Sequence, residues 1–234
     1  MLPLTPDELL TTTRSVRRRL DLSRPVPIEL VEECLTVALQ APSGSNTQRW
    51  HWLVLTDPEI RRAIGELYRR SCTAYLESPG AAGKLFADDP VRGPVQERVG
   101  KSVAYLAERM GDVPVLVIPC LRVPGGLGGG NQAGTWGSLL PAAWSYMLAA
   151  RARGLGTAWT TLHLRYEKEA AELLGLPDDV YQGRSSPRRT PWGWGSTRHR
   201  ASRWRRSCTA TGGESSTTRS PTSAASPGKS TCIA

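Results

Sequence analysis

Three short polar patches in this chain carry residue types that hold ligands. The first is Arg14-Ser15-Val16-Arg17, two guanidiniums around a hydroxyl. Guanidinium forks bind phosphate oxygens through charge-assisted, often bidentate hydrogen bonds, so this patch suits a monophosphate. The second is Pro42-Ser43-Gly44-Ser45-Asn46-Thr47-Gln48, small residues with two amides, suited to the edge of a heteroaromatic ring. The third is Gly154-Leu155-Gly156-Thr157-Ala158-Trp159-Thr160-Thr161, whose threonines follow a strand-like run and present backbone donors. Taken singly, each has a plainer reading: a solvated helix face, a helix–strand turn, and β-branched strand residues. No nucleophile–base–acid constellation accompanies them. There is no GxSxG, and His51, His163 and His199 form no HExxH-type pair. The glycine-rich run PGGLGGG at 124–130 lacks the lysine of a P-loop. Binding patches without acid–base machinery point to a cofactor that brings its own reactivity.

Local patterns indicate the elements that must carry these patches. Thr5, Pro6 and Glu8 form an N-cap, a first-turn proline and a capping box, which predicts a helix to about Thr13. Ile28, Val31, Leu35 and Ala38 share one face of a helix over Pro27 to Gln40, ahead of Pro42. Trp50 to Leu55, WHWLVL, reads as a buried strand, and 58–78 and 93–111 read as charged helices. Val113 to Leu121 predicts a second strand, Leu139 to Arg153 an apolar helix stopped by Gly154, and Thr157 to Leu162 a third strand. Glu167 to Leu174 predicts a last helix ending at Gly175. This order implies an α+β or mixed α/β sandwich rather than regular βαβ units.

Composition divides the chain in two. Of the 234 residues, 39% are hydrophobic, and the net charge is +9. Residues 1–182 hold 20 Lys+Arg and 20 Asp+Glu, a net of zero; residues 183–234 hold 10 and one, a net of +9. The body is a neutral globular domain, and the basic segment needs its own explanation. No run of apolar residues spans a membrane and no secretory leader is visible. The cysteines Cys34, Cys72, Cys120, Cys208 and Cys232 are scattered without CxxC spacing, which argues against a disulfide framework or a zinc site. Together these features lead us to expect a reducing, cytoplasmic setting.

In order and spacing, RSVR, APSGSNTQRW, RGLGTAWTT and LLGLP resemble the nitroreductase family of flavoproteins, over about residues 5–182. The resemblance implies an α/β/α sandwich with a mixed, mainly antiparallel sheet, an FMN cofactor, and an intertwined homodimer with active sites at the subunit interface. It implies a ping-pong oxidoreductase that takes electrons from NAD(P)H and reduces nitroaromatic, quinone or enone substrates. By motif position, Arg14, Ser15 and Arg17 correspond to phosphate and ribityl contacts. Pro42, Ser43 and Asn46 correspond to the loop lining the flavin, with Gln48 nearby. Trp159, Thr160 and Thr161 correspond to the segment approaching the reactive side of the ring. There are departures. Thr13 stands where an arginine is common, Arg19 lies near the place of a common phenylalanine, and the usual QPW reads Gln48-Arg49-Trp50. Residues 65–112 correspond to the variable substrate-covering region. Alternatives are a specialised member, a dehalogenase or a flavin-fragmenting enzyme, or a non-enzymatic protein with a nucleic-acid-binding basic tail.

The family continues after its LGLPDDVYQ-like segment with a strand resembling ALLPVAYTVG and ends near PLxxVVHRDRWG. Neither appears here. Building codons from the third base of one printed codon and the first two of the next, with Arg as CGN and Ser as TCN, tests a reading-frame error. From Gly183 to Gly193 the shifted codons permit Ala-Leu-Leu-Pro, two small residues, then Tyr-Thr-Val-Gly. Over Arg206 to Glu214 they permit Leu-Val-His-Arg-Asp-Arg-Trp-Gly. Two family segments emerge in register, so we read a one-base loss near Gln182–Gly183. The tail, with 11 Ser, 8 Thr and 9 Arg, is then expected to be disordered and to bind no specific nucleic acid.

Overall fold

The computed structural model describes residues 1–183, and the expectations for the basic tail lie outside them. The first elements follow the local code. Helix α1 (Pro6–Thr12) opens on a reciprocal capping box, Glu8 N–H donating to Thr5 Oγ1 at 3.2 Å and Thr5 N–H to Glu8 Oε2 at 2.8 Å. Helix α2 (Ile28–Ala38) precedes strand β1 (Trp50–Leu55). Asp57 then caps helix α3 (Pro58–Glu77), its carboxylate accepting from Glu59 N–H at 2.7 Å, with Pro58 in the first turn. Helix α4 (Arg92–Arg109) and strand β2 (Leu116–Arg122) follow. Helix α5 (Ala133–Ala152) begins six residues before the predicted start, with Trp136 and Ser138 already buried in its first two turns. Helix α6 (Glu167–Leu174) ends on Gly175 at φ +63°, a left-handed cap that glycine adopts without a Cβ penalty.

The strands form an antiparallel sheet in the order β1-β2-β3, β3 being Val180–Gln182. Leu53 faces Ile118 across the β1–β2 ladder, and Leu55 faces Leu116. Leu53, Leu55 and Ile118 pack on one side against Ile64 and Leu67 of α3 and Ala170 of α6. Trp52, Val54 and Val117 lie on the other side, against α2 and α5, where Val31, Cys34 and Ala38 meet Tyr146, Met147 and Ala150. This period-2 alternation makes a helix–sheet–helix sandwich, with α4 packed behind α3 through Tyr68, Cys72, Val103 and Leu106. The α+β class and the sandwich agree with expectation.

Two expectations need correction. Thr157 to Leu162 is not a strand: its residues run without ladder pairing until a 3-10 turn at Leu162–Tyr166. β propensity makes a segment compatible with a sheet, but a strand exists only where a neighbour supplies its hydrogen bonds. The second strand also starts later than Val113, because Val113 follows the 3-10 turn Met110–Asp112, to which its N–H is bonded.

Candidate functional site

The segment after α1 and the segment after α5 are brought together. Val16 N–H donates to Thr157 O at 2.7 Å, and Trp159 N–H donates to Ser15 Oγ at 3.1 Å. Two glycines permit the approach. Gly154 turns the chain out of α5 at φ +79°, and a Cβ on Gly156 would lie 2.9 Å from Leu20 Cδ2. The first patch, Arg14, Ser15 and Arg17, therefore lies beside the third, Trp159, Thr160 and Thr161. Within it the arginines differ. Arg14 Nη1 donates to the Thr13 carbonyl at 2.7 Å and its side chain is exposed. Arg17 Nε is sealed from solvent with no hydrogen-bond partner. Leaving a charged donor unsatisfied costs at least about 1–3 kcal/mol, which an anionic ligand would relieve. Trp159 remains 37% exposed, and Thr161 closes the 3-10 turn by accepting from Leu164 N–H at 3.1 Å.

The Thr160 hydroxyl bonds to Tyr68 OH at 2.9 Å. Tyr68 sits in the middle of α3 and is 1% exposed. Burial pushes its phenol pKa up, and the Thr160 bond and the Arg17 charge partly oppose that. Tyr68 was not among the residues expected from sequence, because an aromatic on an amphipathic helix reads as core.

The second patch takes a different position. Gly44 N–H donates to Ser138 Oγ of α5 at 2.9 Å, and Trp50 Nε1 donates to the Ser138 carbonyl at 2.6 Å. Ser138 was also unforeseen; a serine in the apolar run of α5 was its only signal. Inside the loop, Gln48 N–H donates to Ser43 Oγ at 3.1 Å and Gln48 Nε2 donates to Asn46 Oδ1 at 2.9 Å. Pro42, Asn46 and Gln48 are exposed, and Ser43 is half-buried. Ser45, Asn46 and Gln48 hold φ of 51°, 52° and 48°, a cluster of left-handed residues without glycine. Such strain, about 1–3 kcal/mol per residue, concentrates at ligand sites. Among the described residues, no hydrogen bond or ion pair joins this loop to the other two patches. The site thus comes in two parts: a phosphate-suited corner with an adjoining backbone segment, and a strained amide loop mounted on α5.

The described residues hold no cluster of His, Cys, Asp or Glu fit for a metal ion and no helix long and apolar enough to cross a membrane. Cys34, Cys72 and Cys120 are free and buried.

Residues 10–183 match the family described as Nitroreductase family. The chain is 30% identical over 213 aligned residues to the chloronitrobenzene nitroreductase of Comamonas testosteroni, covering 76% of this chain and 84% of that protein. Among solved structures, an iodotyrosine deiodinase bound to FMN and 3-iodo-L-tyrosine shares the fold at 20% identity. Its TM-score is 0.54 over 82% of this chain and 96% of that one. An FMN and NADPH-dependent nitroreductase, NfnB from sphigopyxis sp. strain HMH, shares it at 22% identity. There the TM-score is 0.53 over 76% of this chain and 85% of that one.

Proposed function

The chain belongs to the nitroreductase family, and from that premise we propose that it is an FMN-dependent oxidoreductase that uses NAD(P)H to reduce nitroaromatic, quinone or enone substrates. The observation that carries this reading is the corner of Arg17, Ser15 and the Thr157–Thr161 segment. It offers a sealed, unpartnered guanidinium nitrogen suited to one phosphate, beside a backbone segment outside any helix or strand, suited to the edge of a ring. No GxGxxG fingerprint for a dinucleotide accompanies it, which favours FMN over FAD. When bound, FMN supplies the hydride and electron chemistry, and the two half-reactions share one pocket. The chain's own part is to hold the phosphate through Arg14, Ser15 and Arg17 and to flank the ring with Trp159, Thr160 and Thr161. It also places Pro42, Ser43, Asn46 and Gln48 along the ring edge. No side chain is assigned as acid or base.

We further propose a homodimer, in which one copy's amide loop completes the other copy's site. Helix α5 supports this reading. It is apolar on all sides, yet Leu140 and Trp144, one turn apart, stay about 38% and 37% exposed. A helix apolar all round belongs in an interior, and a second copy supplies one.

Flavin released by heat from a frame-restored chain and then chromatographed tests the cofactor; FAD, or no flavin at all, overturns the proposal. The substrate screen pairs nitroaromatics and quinones with a halogenated phenol, because an iodotyrosine deiodinase shares the fold. Dehalogenation without nitro reduction would favour the specialised reading.

The printed sequence beyond Gly183 is proposed to be out of frame. Register supports this. Gly183 N–H donates to Pro119 O at 2.9 Å, one step along β2 from the Cys120–Gln182 pair. The in-frame reading Ala-Leu-Leu, in place of Arg184-Ser185-Ser186, would continue along β2 beside Leu116 to Ile118.

A further inference from the structure

Tyr68 lies on none of the four segments that the family motifs mark, yet its hydroxyl is the buried polar group of α3 that reaches the candidate site. Three observations converge on it. Its ring is 1% exposed, locked among Cys72, Val103, Leu106 and Met110, so the hydroxyl has a fixed position. That hydroxyl meets Thr160 Oγ1 at 2.9 Å, on a segment that has no ladder of its own to hold it. The Arg17 guanidinium, whose Nε is sealed and unpartnered, acts electrostatically on the same phenol. The other long-range hydrogen bonds of the Thr157–Thr161 segment are Val16–Thr157 and Ser15–Trp159, both ahead of Thr160.

We propose that Tyr68 is a positioning residue of the flavin site: through its hydroxyl, α3 sets the Thr160 side chain and so the height of the Trp159–Thr161 backbone against the ring. The inference rests on the FMN reading above. Each hydroxyl carries one proton, so the pair shares one hydrogen bond and leaves a single further proton for a ligand. Removing the phenolic oxygen frees Thr160 to rotate and leaves the aromatic packing intact.

The test is Tyr68→Phe in the full frame-restored chain, with Thr160→Val, the double variant and Thr160→Ser beside it. The readouts are FMN dissociation constant by fluorescence quenching, midpoint potential of the bound flavin, and melting temperature. For Tyr68→Phe, we expect the FMN dissociation constant to rise about 2- to 12-fold, the range of one net hydrogen bond. The midpoint potential should shift as well. The double variant should bind no more weakly than Thr160→Val alone, because both changes break one bond, and Thr160→Ser should keep wild-type affinity. Wild-type affinity and potential in Tyr68→Phe, or additive losses in the double variant, would overturn the inference and leave the FMN reading standing. Failure of the frame-restored chain, otherwise unaltered, to take up FMN would overturn both.

Discussion

Arg17 and Arg14 are three positions apart and chemically identical, and the fold treats them differently. Arg14 is satisfied by the Thr13 carbonyl, whereas Arg17 Nε is enclosed without a partner. Arg17→Ala should therefore weaken FMN binding by about 1.5–3 kcal/mol, the range for a hydrogen bond to a charged group, and Arg14→Ala by less. Titration of both variants with FMN checks the ranking; equal small losses would make Arg17 a structural charge. His163 allows a second residue-level prediction. Burial draws its pKa down to about 4, with the Gln182 side chain weakly opposing, and its Nε2 is sealed without a partner. An unfolded histidine titrates near pH 6.5, so between about pH 6.5 and 4 the unfolded chain binds a proton that the folded chain refuses. Stability should fall as pH drops through that window, by roughly 2–3 kcal/mol in all. His163→Gln should flatten that part of the pH dependence in urea unfolding. A slope unchanged in the variant would assign it to other groups.

At the scale of elements, close approach and strain decide the behaviour. Gly65 lies inside α3, where exchange for alanine ordinarily adds up to about 1 kcal/mol of stability. Here an added Cβ would sit 2.7 Å from Gly111 N and 3.0 Å from its Cα, both backbone atoms with no room to yield. Gly65→Ala should therefore destabilise by about 1–2 kcal/mol despite the helix gain, and a melting temperature at or above wild type would refute the contact. The Ser43–Gln48 loop is the opposite case. Gln48 at φ 48° pays a left-handed penalty of about 1–2 kcal/mol that glycine would not. Gln48→Gly should hold or raise the melting temperature while lowering FMN affinity, because it also removes the amide bonded to Asn46. Unchanged affinity would make the loop a plain connection.

At the scale of the whole molecule, the prediction concerns the segment after Gly183. A restored reading frame should extend the sheet along β2. It should give a yellow dimer, whereas the printed chain should be poorly soluble, weakly dimeric and low in flavin. Flavin per chain and elution volume, measured for both, decide this. A printed chain that is the better-behaved, fully flavinated dimer would refute the frame argument.

Local chemistry was enough to read most helices and β1 directly from the chain. The capping box at Thr5 and the glycines Gly154 and Gly175 beyond α5 and α6 act on neighbours in sequence, so their signals are local. The Arg14–Arg17 patch stood out for the same reason, its charges lying within four consecutive residues. β3, with three residues, was too short to carry a period, and Thr157 to Leu162 carried strand composition without a partner to pair with. Pairing is a property of two segments far apart in the chain, so only the folded molecule shows whether it occurs. The same holds for Tyr68 meeting Thr160 across 92 positions, and for Ser138 holding Gly44 across 94. Both are buried polar contacts, whose partners burial dictates and spacing does not, and they decide how the three patches are held.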